Sequence, residues 1–72
     1  MKIKNVVVTK DDKEIIHGAT GSTDNGKVML EAGLPPGLKN GDRVRIKGDD
    51  DFDRLCTFMD EKPSGTLNFK ID

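Results

Sequence analysis

The sequence predicts a single all-β domain over residues 1–72: a small antiparallel β-sandwich of six or seven short strands, with a compact β-barrel as the alternative. Turn-forming clusters divide the chain into segments of about 6–10 residues, shorter than most stable helices, and this spacing is typical of sandwiches and barrels. Two of the segments alternate polar and apolar residues, as half-buried strands do. The turn clusters lie at 11–13, 23–26, 34–41, 48–51 and 62–65.

The first strand has an irregular apolar pattern. In a regular strand Ile3 and Val7 would share one face, whereas Val6 and Val8 would share the other. A β-bulge near Asn5, or a strand that is covered on both faces, would reconcile the two sets.

The third strand is bounded by strong turn signals. Asn25-Gly26 predicts a type I′ hairpin turn, because these residues tolerate the two positive φ angles that this turn requires. The strand Val28–Leu30 follows it. Pro35 and Pro36 end this strand, because consecutive prolines remove two donors from the hydrogen-bond ladder.

The C-terminal half predicts three further strands. Residues 43–47 and 66–71 alternate strictly between polar and apolar side chains. Residues 52–59 fit either a short helical turn or a strand, and we favour the strand because β-formers lie at 55–58 and Pro63 follows. The predicted core consists of Ile3, Val6, Val8, Ile16, Val28, Leu30, Val44, Ile46, Leu55, Phe58, Leu67, Phe69 and Ile71.

The composition excludes several classes of protein. Twelve Lys or Arg residues against thirteen Asp or Glu residues give a net charge of −1. No apolar run approaches the roughly 20 residues of a membrane helix, and the N-terminal residues lack the apolar region of a secretory signal, so we expect no membrane association. Cys56 is the only cysteine, which excludes an internal disulfide and four-cysteine zinc sites and favours a reducing, cytoplasmic compartment.

The order of turns and strands over residues 6–47 resembles the transthyretin-like β-sandwich modules. The motifs are the opening strand and Gly-Ala-Thr step at 6–20, the Thr-Asp-Asn-Gly-Lys-Val turn at 23–28, and the Gly-Leu-Pro-Pro-Gly loop at 33–37. Carboxypeptidase regulatory-like and collagen-adhesin B-type repeats belong to this group. The resemblance implies an accessory or spacer domain of a larger or surface-associated assembly.

We expect a non-enzymatic binding or structural module that acts through contact with a protein partner or with a second copy. The predicted contact surface is the loop at 34–40, because its apolar side chains would otherwise be exposed to water. These side chains are Leu34, Pro35, Pro36 and Leu38.

A nucleic-acid-binding small β-barrel is the alternative. Its contact residues would be Lys39, Arg43, Arg45 and Lys47, since alternation places the last three on one exposed face. The chain is not basic overall, however, and its three Phe residues are assigned to the core rather than to a stacking surface.

The acidic run after residue 48 is the only candidate metal site. Asp49, Asp51, Asp53 and Asp60 stand at positions 1, 3, 5 and 12 of a calcium-loop pattern, but Arg54 occupies the position that requires glycine. We therefore expect a solvated loop and no metal or other cofactor.

Catalysis is not expected either. His17 and Cys56 are the only pair of residues suited to nucleophilic catalysis, and the neighbours of Cys56 predict a small core residue.

Overall fold

The computed structural model describes residues 1–72 and contains six β-strands and no helix. No element is therefore a helix that could cross a membrane. The all-β class and the number of strands are confirmed, including a strand rather than a helical turn in the segment before Pro63. The strands are β1 (Lys2–Lys10), β2 (Lys13–Asp24), β3 (Lys27–Glu31), β4 (Arg43–Lys47), β5 (Asp53–Glu61) and β6 (Thr66–Ile71).

The strands close into a barrel in the order β1-β2-β3-β6-β5-β4, and every neighbouring pair is antiparallel. The structure thus adopts the barrel, which the sequence offered as the alternative to a sandwich. Two three-stranded meanders, β1–β3 and β4–β6, form its two halves. They join along the seams β1/β4 and β3/β6, so every strand has a neighbour on both sides.

The predicted bulge in β1 lies at Asn5. This residue has φ 53°, and the register with β2 shifts between Ile3 and Val6. A left-handed residue inserted into a strand reverses the alternation of the side chains beyond it. Ile3, Val6 and Val8 therefore all point into the barrel, and Val7 lies on the outside, partly covered.

The β2–β3 hairpin turns at Asn25 and Gly26, which have φ values of 49° and 76°, as a type I′ turn requires. β2 itself has 12 residues and is longer than the turn spacing predicts, because it runs without a break from Lys13 to Asp24.

One hydrophobic core fills the barrel, and no charged side chain is buried in it. Eleven of the thirteen predicted core residues are buried, and Ile71 packs against them while partly exposed. The prediction for Leu55 is wrong, since 64% of this residue is exposed. The structure adds Ala19 and Leu38 to the core, and Cys56 lies there as its neighbours in the sequence predict.

The connection from β3 to β4 crosses one end of the barrel, because these strands lie on opposite sides of it. Gly41 N–H donates to the Phe58 carbonyl, and Phe58 N–H donates to the Asp42 carbonyl, both at 2.8 Å. The loop is thereby fixed to β5. Its Pro35 and Leu38 side chains are buried, and Leu38 joins the core.

Candidate functional site

Leu55 lies on the outer surface of the barrel, where β4 pairs with β5. Cys56 and Phe58 point inward, so the alternation of the strand turns Leu55 outward. It is the most exposed large apolar side chain in any strand. Its register partner is Arg45. Two residues away along the same strands, Arg43 pairs with Thr57. We call this surface the Leu55 face; it comprises Arg43, Arg45, Leu55, Thr57 and Asp72.

Both arginines on the Leu55 face lie near a carboxylate, but only Arg45 is hydrogen-bonded to one. Arg45 donates two hydrogen bonds of 2.8 Å to the two carboxylate oxygens of Asp53. This pairing lowers the pKa of Asp53 and raises that of Arg45. Asp72 accepts a 2.7 Å hydrogen bond from the Thr57 hydroxyl and lies 3.9 Å from the Arg43 guanidinium. The face is therefore a strand pair on which polar groups with carboxylate partners surround one apolar side chain.

A shallow depression of about 250 Å³ lies beside Leu55. Arg43, Arg45 and Asp72 contribute to its lining, together with Asp11 and Asp12 of the β1–β2 turn. Exposed apolar atoms next to arginine are typical of the central part of a protein contact surface.

The predicted basic surface is assembled only in part. Arg43, Arg45 and Lys47 are exposed on the outer face of β4, as alternation predicts, whereas Lys39 lies apart from them in the loop that crosses the barrel end. Both arginines are paired with carboxylates. The positive charge available to a polyanion is correspondingly reduced.

The loop at 34–40, which the sequence predicts as an exposed contact surface, is partly buried. Leu34 is 43% exposed and Pro36 is exposed, but Pro35 and Leu38 are buried. The prediction that all four side chains face solvent is wrong for these two, because the loop closes the barrel end and adds its apolar residues to the core. Lys10 secures it further through a 2.9 Å ion pair with Asp42.

The candidate calcium ligands do not come together, and no group of acidic, His or Cys side chains forms a potential metal site. Asp49 Oδ1 accepts a hydrogen bond from the Lys4 amide. Asp53 is bound by Arg45. Asp51 has φ 60° in the turn before β5, and Asp60 lies near the far end of that strand.

His17 and Cys56 lie in different environments. His17 is exposed, with Nδ1 3.2 Å from a Glu14 carboxylate oxygen. Cys56 is buried, as predicted, and burial raises the pKa of its thiol to about 11, with a smaller contribution from Asp72. The thiol is therefore protonated at neutral pH.

The structure contains a second surface feature that is not predicted from the sequence. An open groove of about 490 Å³ runs over the outer side of β1, β2 and β3 and reaches β6. No local pattern reveals it, because it depends on the pairing of strands from both ends of the chain. We call it the lysine groove; it is lined by Lys2, Ile3, Lys4, Thr20, Gly21, Ser22, Met29, Glu31 and Thr66.

The fold and these surfaces define a small, closed, six-stranded antiparallel barrel whose candidate sites all lie on its exterior. Comparisons with protein-family models, curated proteins and solved structures give no match for this chain.

Proposed function

We propose that this domain is a non-enzymatic binding module that contacts a protein partner, or a second copy of itself, through the Leu55 face. The observation that supports this proposal is the exposure of Leu55 in the middle of a regular strand pair. Burying a fully exposed leucine side chain contributes about 1.5–3 kcal/mol, and 64% of Leu55 is exposed, so covering it would supply a large part of that energy.

The surroundings of Leu55 support the same proposal. Arginine is enriched at binding hot spots, and Arg45 is held in place by its bidentate bond to Asp53. A side chain that is already ordered loses little conformational entropy when a partner binds. The loop at 34–40 supports a contact less well, because its two buried apolar residues serve the core.

The nucleic-acid alternative has weaker support from the geometry. Arg43, Arg45 and Lys47 do share one exposed face, but two of these cations are paired with carboxylates. Binding through phosphates would weaken steeply as salt increases, whereas binding centred on Leu55 would depend little on salt. A titration with mixed-sequence single-stranded DNA at two salt concentrations separates the two functions.

Substitution of Leu55 tests the proposal. We expect Leu55→Asp to weaken self-association in sedimentation, or binding to a captured partner, by about tenfold or more. Leu34→Asp is the matched control, because it adds the same charge at another exposed leucine. If Leu34→Asp weakens binding and Leu55→Asp does not, the contact lies on the loop and the Leu55 face is the wrong surface. If neither change has an effect, no apolar contact of this kind exists.

A further inference from the structure

The lysine groove is larger than the depression beside Leu55 and is separate from the Leu55 face. Its volume is about 490 Å³, within the range of small-molecule sites. One wall is formed by β1, which contributes Lys2 and Lys4. The adjacent strand contributes the hydroxyl groups of Thr20 and Ser22, and Lys2 is the register partner of Ser22.

The β1 wall carries two lysine side chains that form no ion pair. Neither Lys2 nor Lys4 forms an ion pair, in contrast to Lys10, which is bound to Asp42. The one carboxylate that lines the groove belongs to Glu31 on β3, two strands away, or about 10 Å at the usual strand spacing. Glu31 is the register partner of Thr20, and the Asp49 carboxylate accepts a hydrogen bond from the Lys4 amide, so neither carboxylate forms an ion pair with Lys2 or Lys4.

The arrangement fits a phosphate monoester. The two lysines are two residues apart in one strand, and their Cα atoms are about 6.6 Å apart. A phosphate monoester carries a charge of about −1.5 to −2 at neutral pH and three strong acceptor oxygens, which two ammonium groups and neighbouring hydroxyls can satisfy. A carboxylate would neutralise only one of the two lysines.

The lining residues also distinguish a phosphate group from a nucleic-acid strand. No aromatic side chain lines the groove, and binding of single strands without sequence preference relies on bases stacked on aromatic rings. We propose that the groove binds a phosphate monoester through Lys2 and Lys4, with Thr20 and Ser22 as hydroxyl donors. The phosphate group belongs either to a free small molecule or to a phosphorylated side chain.

The test is a titration of the ¹⁵N-labelled full chain with inorganic phosphate and, separately, with a phosphoserine peptide, both at constant ionic strength. We expect saturable shifts at residues 2–4 and 20–22. Lys2→Gln combined with Lys4→Gln is expected to raise the dissociation constant by about tenfold or more. The matched control is Lys27→Gln with Lys70→Gln, which removes the same charge from register partners on the outer surface outside the groove.

The control decides between a site and general charge attraction. If both double variants weaken binding equally, or if the shifts do not saturate, the proposal is wrong. It is also wrong if acetate binds as tightly as phosphate. Tighter binding of the phosphoserine peptide would assign the site to a phosphorylated partner, and tighter binding of inorganic phosphate to a small molecule. The spectra of the free variants verify folding, and Lys→Arg substitutions, which keep the charge, should preserve binding.

Discussion

Lys4 and Asp49 are joined by two hydrogen bonds that link the first strand to the acidic turn 45 residues later in the chain. Lys4 N–H donates to Asp49 Oδ1 at 2.9 Å, and Asp49 N–H donates to the Lys4 carbonyl at 3.0 Å. The bulge at Asn5 follows directly, so this part of β1 pairs with a turn rather than with β4. The conspicuous acidic run thus has a structural role at its first residue.

Removal of the Asp49 carboxylate should destabilise the barrel. We expect Asp49→Ala to lower the free energy of unfolding by about 1–2 kcal/mol, because the Lys4 amide loses a charged acceptor. Asp60→Ala is the control, since Asp60 is exposed and forms no ion pair. Urea unfolding measures both variants. Equal effects would show that the loss of negative charge matters and the hydrogen bond does not.

Gly21 cannot be replaced without disturbing the β2–β3 pair. A Cβ atom at this position would lie 2.2 Å from the Met29 carbonyl oxygen and 2.6 Å from Leu30 Cδ2. The carbonyl belongs to the backbone and cannot move aside, so we expect Gly21→Ala to cost about 3 kcal/mol or more. Gly33→Ala meets no atom within 4 Å, and its effect should remain within about 0.5 kcal/mol. If thermal unfolding showed only a small loss of stability in Gly21→Ala, that result would contradict the close packing of Gly21 against β3.

The loop that crosses the barrel end should contribute to stability through Leu38. Only 7% of this residue is exposed, so Leu38→Ala should cost about 2–4 kcal/mol in chemical unfolding. Leu34→Ala, four positions earlier and 43% exposed, should cost much less. Similar values for the two variants would mean that the loop does not close the barrel in solution.

Stability should fall in acid partly through Asp42. The Lys10 ammonium and the Lys39 amide lower the pKa of this carboxyl below its ordinary value of 3.8. A carboxyl whose pKa is lower in the folded state stabilises the fold at pH values above 3.8. That contribution is lost as the pH falls through the folded-state value. We therefore expect the melting temperatures of the wild type and Asp42→Asn to differ at neutral pH and to converge in acid. A constant difference would exclude the pairing with Lys10.

Much of the fold follows from local patterns, as β1 and β5 illustrate. The conflict between Ile3 and Val6 predicts the bulge, and the bulge lies at Asn5. In β5 the inward position of Phe58 fixes Cys56 inside and Leu55 outside. Leu55 is predicted in the core because its side chain is hydrophobic. The two-residue period of the strand, however, places this side chain on the outside.

Other features depend on contacts that no local pattern contains. The burial of Pro35 and Leu38 follows from the position of β3 opposite β4, which only the closed order of strands determines. The lysine groove likewise requires β1, β2 and β3 to meet with β6. The pairing of Arg45 with Asp53 joins neighbouring strands, and the choice of partner changes how much free positive charge β4 presents.

The Leu55 face is tested most directly by a photocrosslinking residue placed at position 55 and, in a separate sample, at position 34. We predict covalent adducts to a protein partner, or to a second copy, from position 55 and none from position 34. Both sites are exposed and apolar, so the comparison controls for nonspecific reaction. Adducts from position 34 alone would contradict the Leu55 face and place the contact on the loop that closes the barrel.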